Sequence, residues 1–205
     1  MQSPNHPIQS PITESRNAIT QLPDHPIAKR KVTESASSQP ATWLIENVGL
    51  IRDRGLVLDV ACGRGRNARF LATAGFSVVA VDRREEAIRE LRLWVRAAGV
   101  HVETRVLDLE TARPPIEQNR FDAVVVINYL YRPLMPVLIE ALAPNGVLIY
   151  ETFTIGQAQR GHPRNPAFLL RDRELRDLVK PLEILRWREG DVEGKLVASI
   201  VARHR

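Results

Sequence analysis

Apolar residues along the chain fall into short continuous runs, separated by segments in which they recur every three or four positions. The runs "LVLDVA" (56–61), "SVVAVD" (77–82), "FDAVVVIN" (121–128) and "NGVLIYETF" (145–153) are short and almost wholly apolar, as strands covered on both faces are. "HVETRVLD" (101–108) alternates and also reads as a strand. Helical spacing fills the gaps. Trp43, Leu44, Asn47, Val48 and Ile51 share one face of "ATWLIENVGLI", and "NARFLATAG" reads as a helix stopped at Gly75. Ile88, Leu91, Val95 and Ala98 recur through residues 84–98, with Glu85 four residues before Arg89 on the wet side, and "PLMPVLIEALA" is a helix entered through prolines.

Strands alternating with helices predict a parallel sheet joined by right-handed crossovers. The end of the chain breaks this rhythm. After a short helix in "RDRELRDLVK", the runs "LEILRWREG" and "GKLVASIVARHR" are separated by little more than "DVEG". A parallel pair needs a crossover of about a dozen residues, so these two strands are antiparallel. The predicted fold is α/β: a Rossmann-like, doubly wound, mostly parallel seven-stranded sheet with helices on both faces and a C-terminal antiparallel hairpin.

Composition narrows the setting. At 205 residues, 44% apolar and 26% charged, the chain reads as one globular domain over residues 39–205. Residues 1–38 hold Pro4, Pro7, Pro11, Pro23 and Pro26 among Ser, Gln, Asn and Thr, the composition of a disordered tail. No apolar run is long enough to span a bilayer and no signal peptide is evident, so a cytoplasmic protein is expected. Cys62 is the only cysteine, which excludes an intramolecular disulfide and a cysteine-cluster metal site; no metal is expected. The net charge of +5 comes from arginines spread along the chain without a dense basic run, so a nucleic-acid partner is not expected.

The chemistry concentrates in "LDVACGRGRN" (58–67). Gly63, Gly65 and Ala68 fit G-x-G-x-x-A between a strand and a helix, and Asp82 ends the next strand, where a carboxylate takes ribose hydroxyls. Up to this point a nicotinamide dinucleotide and a methyl-donor nucleoside both fit. Asp59, four residues before Gly63, would repel a pyrophosphate but suits the ammonium of a bound amino acid, which S-adenosylmethionine carries. Asp108, at the end of the third strand, is placed to accept from an adenine amino group. Nothing provides a Tyr-x-x-x-Lys pair or a histidine–carboxylate arrangement for hydride transfer. The residues favour the methyl donor, with an NAD(P)-binding oxidoreductase and a non-catalytic S-adenosylmethionine-binding protein as alternatives.

"LDVACGRGRN", "VVAVD" and "LDLE" resemble three motifs of the class I S-adenosylmethionine-dependent methyltransferases, with Ala61 where a first glycine often stands. The resemblance covers about residues 40–205, and "INYLYRPLMPVLIEALAPNGVLIYETF" is most similar to small bacterial methyltransferases related to tellurite-resistance proteins. It implies S-adenosylmethionine as cofactor, with Asp59, Gly63 and Gly65 at its methionine end, Asp82 at the ribose, and Asp108 with Leu109 at the adenine. Ala61, Asn67 and Arg83 complete the implied cofactor contacts, and Asn128 would face the methyl group. Methyl transfer is then an in-line displacement that needs alignment more than a base. No catalytic residue is assigned. Asn128, Tyr129, Tyr131, Glu151 and His162 are the candidates near the active edge. The absence of an appended domain favours a small acceptor, and Arg132, Arg160 and Arg164 are read either as marks of an anionic one or as solvated. The oligomeric state is left open.

Overall fold

Strand alternation sorts the apolar side chains onto two faces, and helices on both sides cover them. The structure, a computed structural model, describes residues 39–205; the tail expected over residues 1–38 lies outside the described residues. In chain order the elements are α1 (Thr42–Asn47), β1 (Leu56–Val60), α2 (Arg66–Thr73), β2 (Ser77–Asp82), α3 (Glu85–Ala98), β3 (Val102–Val106) and β4 (Phe121–Ile127). There follow α4 (Met135–Ala141), β5 (Leu142–Phe153), α5 (Glu174–Leu178), β6 (Glu183–Val192) and β7 (Lys195–Arg203).

The strands form one seven-stranded sheet in the order β3-β2-β1-β4-β5-β7-β6. The first five are parallel, β7 runs antiparallel to β5, and β6 runs antiparallel to β7. On one face Val57, Ala80, Val125 and Ile149 pack against Trp43 and Leu44 of α1, Leu71 of α2, and Ile88 and Leu91 of α3. On the other, Leu58, Val79, Val126 and Leu148 meet Met135 and Leu138 of α4 and Leu175 of α5. Each such side chain contributes about 1.5–3 kcal/mol on burial, so the sheet is stabilised from both sides.

Two details differ from the sequence pattern. The connection from β3 to β4 carries no helix: Pro114 and Pro115 withdraw two backbone donors, and the segment is held by Leu109, which is buried, and by a bidentate pair from Arg105 to Glu117 at 2.8 and 2.7 Å. That guanidinium holds the Glu117 carboxyl down to about 2. β5 begins at Leu142, inside the stretch that reads as helix, because Leu142 pairs with Phe121 before a register shift lets Val147 meet Ala123. Periodicity alone cannot separate the last turn of a buried helix from the first residues of a buried strand. Among the described residues, no helix is long and apolar enough to cross a membrane.

Trp43 ties α1 to the sheet. Its indole Nε1 donates to the Ile200 carbonyl at 3.2 Å, and the Arg188 guanidinium lies 4.4 Å from the ring centroid. Trp43→Ala is expected to cost about 3–5 kcal/mol of stability, read from the shift of a urea unfolding curve.

Candidate functional site

The chain passes outward from β1 to β3 and then returns to β4 on the other side of β1. Such a reversal opens a crevice at the carboxyl ends of the strands, where ligands of open α/β sheets bind. A cavity of about 500 Å³ lies there. Ala61 lines it after β1, Asp82 and Arg83 at the end of β2, Leu107, Asp108 and Leu109 after β3, and Asn128, Tyr129 and Leu130 after β4. Its size suits a ligand of nucleoside dimensions, since small-molecule sites run to about 300–1,000 Å³.

The turn from β1 into α2 is built from left-handed backbone. Gly63 (φ +58°) and Gly65 (φ +79°) adopt that conformation without strain, whereas Ala61 (φ +51°) adopts it with a Cβ. At Gly65 an added Cβ would also lie 2.5 Å from Leu91 Cδ1, so the turn and α3 touch through that missing side chain. Asp82 fastens the turn to β2. Its Oδ2 accepts the Gly63 N–H at 2.7 Å and its Oδ1 accepts the Arg84 N–H at 2.9 Å, while the Cys62 N–H donates to the Val81 carbonyl at 2.9 Å. Arg84 Nε also donates to Oδ1, at 3.4 Å; a carboxylate has about four acceptor positions, so Asp82 retains capacity for a further donor.

Asp59 stands in β1 on the face covered by α2 and is buried to 1% exposure. Its Oδ2 has no hydrogen-bond partner. Burial pushes its carboxyl up to about 7, opposed by the Ala68 N–H and the Arg66 charge and reinforced by the Asp82 charge. Burial likewise pushes the Cys62 thiol up, which leaves it a poor nucleophile. Asp59, Gly63 and Gly65 are not part of the cavity wall. Nor does Asn67 reach the wall. Its Oδ1 accepts the Ala41 N–H at 3.0 Å and so fixes the start of α1.

Beyond β4 the candidates divide. Asn128 (φ +58°) donates its N–H to the Glu151 carbonyl at 2.8 Å and lines both the main cavity and a second hollow of about 210 Å³. Tyr129 forms part of the main wall, with its hydroxyl buried and without a partner. Glu151 opens on the second hollow, where it accepts from the Ser199 hydroxyl at 2.6 Å and from Arg188 at 3.1 Å. Tyr131 is half-buried and His162 exposed, and neither lines the main cavity. Asp108 lies two residues past the end of β3 rather than on the strand, and its Oδ1 accepts the Glu110 N–H at 2.9 Å.

Two of the three arginines read as marks of an anionic acceptor or as solvated are engaged within the fold. Arg132 forms a two-pronged pair with Glu174 at 2.6 and 2.8 Å, and Arg160 pairs with Asp191. The main cavity also takes in residues that sequence reasoning missed: Arg84, Leu107, Glu110, Leu130, Phe153, Pro163 and Phe168. The last two come from a segment whose polar composition hid them. The apolar run "PAFLL" (166–170) that closes the segment was the available signal. Because Ala61 holds a left-handed conformation, Ala61→Gly is expected to leave stability unchanged or raise it by about 1 kcal/mol, the reverse of the usual effect of glycine. A rightward urea midpoint would register it.

A family model described as a methyltransferase domain matches residues 57–146. A probable S-adenosyl-L-methionine-dependent methyltransferase, TehB, of Haemophilus influenzae is 24% identical over 137 residues, covering 65% of this chain and 48% of that protein. The chain thus spans about half the length of the curated relatives it matches. The crystal structure of TehB from the same organism superposes with a TM-score of 0.65 at 21% identity, covering 79% of this chain and 61% of that one. A methyltransferase structure from Methanosarcina mazei gives 0.64 at 20% identity, with 80% and 98% coverage. The matched residues 57–146 run from β1 through the glycine turn into β5, and the solved structures share the fold: over that stretch the chain is similar to S-adenosylmethionine-dependent methyltransferases.

Proposed function

We propose that this protein transfers a methyl group from S-adenosylmethionine to a small acceptor, binding the donor in the crevice between β1 and β4. The observation that carries the reading is the set of three carboxylates at successive strand ends. Asp82 and Asp108 face the cavity, and Asp59 lies beneath the glycine turn with an unpartnered oxygen. A buried carboxylate under that turn opposes a pyrophosphate, which argues against a dinucleotide. The residues present fit the methyl donor: Asp82 retains acceptor capacity for a ribose hydroxyl, Asp108 and Leu109 lie at the adenine end, and Asp59 complements a cationic head.

When bound, S-adenosylmethionine supplies a methyl group already activated on a sulfonium, so that the protein's contribution is alignment and the exclusion of water. Asp82 holds the turn and the nucleoside in one register. Asn128, on the rim between the main cavity and the second hollow, is placed to orient the acceptor. The burial of Tyr129 pushes its phenol well above its ordinary range, so it acts as a neutral donor rather than a base.

Calorimetric titration tests this. S-adenosylmethionine and S-adenosylhomocysteine should bind and NADH should not; tight NADH binding with no response to either of the others would reverse the assignment. Asp82→Ala should weaken S-adenosylhomocysteine binding by about tenfold or more, since hydrogen bonds to a charged group are worth roughly 1.5–3 kcal/mol.

Asp59 adds a pH signature. Its folded carboxyl titrates near 7 and its unfolded one near 3.8, so the folded chain binds more protons between those values and stability falls as pH rises through them. The ionised form is the one that attracts the donor's ammonium. Affinity for S-adenosylhomocysteine should therefore rise toward neutral pH, by up to about tenfold per unit below 7. Asp59→Asn should flatten both the stability slope and the affinity slope, and wild-type slopes that survive the substitution would remove Asp59 from this role.

A further inference from the structure

The wall of the main cavity changes character from one end to the other. Toward β2 and β3 it carries Asp82, Arg83, Asp108 and Glu110 beside Leu107 and Leu109; toward β5 it carries only the apolar Leu130, Phe153, Pro163 and Phe168. Neighbouring strands are about 4.8 Å apart, so β3 and β5, four intervals apart in the sheet order, are separated by roughly 19 Å. A nucleoside held at the polar end leaves the apolar end free. Phe168 remains 48% exposed at its mouth, a large apolar ring with nothing packed over one side.

That ring is held in place. Arg132, just after β4, donates to the Ala167 carbonyl at 2.9 Å and the Leu169 carbonyl at 2.8 Å while gripping both oxygens of Glu174. Glu174 in turn accepts the Arg171 N–H at 2.8 Å, and Leu170 donates its N–H to the Phe153 carbonyl at 2.9 Å. Phe168 therefore sits between two residues whose carbonyls one buried-side guanidinium fixes. A planar fork with several donors can do this, and a lysine ammonium cannot. Such bracing prepares a contact surface in advance, which lowers the ordering cost of binding.

We propose that the β5 end of the cavity is the acceptor subsite, that it takes a small molecule with a planar apolar ring body, and that Arg132 is the positioning residue for its Phe168 wall. The proposal rests on the donor reading above. The second hollow beyond Asn128 is its rival: Arg66, Glu151, Arg188 and Lys195 line it, a setting for a small polar acceptor.

The test uses the full chain saturated with S-adenosylhomocysteine, titrated calorimetrically with 2-naphthol and, separately, with glycine. The expected result is binding of 2-naphthol and none of glycine. Phe168→Ala should weaken 2-naphthol about tenfold, a loss of about 1.4 kcal/mol, and leave the affinity for S-adenosylhomocysteine within about twofold. Arg132→Gln should show the same split, and Arg132→Lys should not restore the naphthol affinity. If the Arg132 variants do not fold, the exposed Phe168→Ala substitution still decides the subsite. Glycine binding in place of 2-naphthol, or naphthol affinity indifferent to Phe168→Ala, would overturn the proposal and leave the donor site standing. Failure of S-adenosylhomocysteine to bind the unaltered chain would overturn both.

Discussion

The Asp82 carboxylate, clasping the Gly63 N–H with one oxygen and the Arg84 N–H with the other, is the contact on which the site depends. It joins the turn after β1 to the end of β2, and so sets where the backbone of Ala61–Gly65 stands relative to the crevice. Backbone bonds satisfy the Cys62 and Gly65 N–H groups but not that of Gly63, and a buried donor left unpaired costs about 1–3 kcal/mol. One side chain removes that cost at two places. It also leaves acceptor capacity for a ligand, so that the group shaping the turn is one that the ligand would use.

Behind this clasp lies an electrostatic tension. Asp59 and Asp82 are both buried, near enough for the Asp82 charge to raise the cost of ionising Asp59, and burial pushes the Asp59 carboxyl up to about 7. The first turn of α2 relieves part of that cost through the Ala68 N–H, and Arg66 relieves more. A cationic head entering above would relieve the rest. Strain in the backbone at Ala61 and unspent charge at Asp59 thus accumulate at the same turn, the pattern expected where a fold gives up stability to hold a ligand.

Much of this was legible in the residues. The continuous apolar runs of β1, β2, β4 and β5 reported a sheet covered on both sides, and the short link "DVEG" reported the antiparallel hairpin, because both follow from local rules of burial and reach. Asp59, Asp82 and Asp108 were legible as a set because strand ends can be counted along the chain. Asn67 read as a cofactor contact for the same reason, its place beside the glycines. Only the folded chain shows its amide turned away to the Ala41 N–H.

The sequence by itself therefore determined the layers, the order of local elements and the acidic edge, since these depend on periodicity, turn length and residue type within a few positions. Tertiary structure alone decided which side chains meet across that edge. Arg132 and Glu174 are 42 residues apart and become a clamp, and Phe168 and Leu130 reach one wall from separate loops. It also showed Arg132 and Arg160, read as marks of an anionic acceptor or as solvated, to be engaged in ion pairs. The physical reason is that charge and apolar surface act through distance in space: whether an arginine is free to hold a ligand depends on which carboxylate the chain's long-range folding brings beside it.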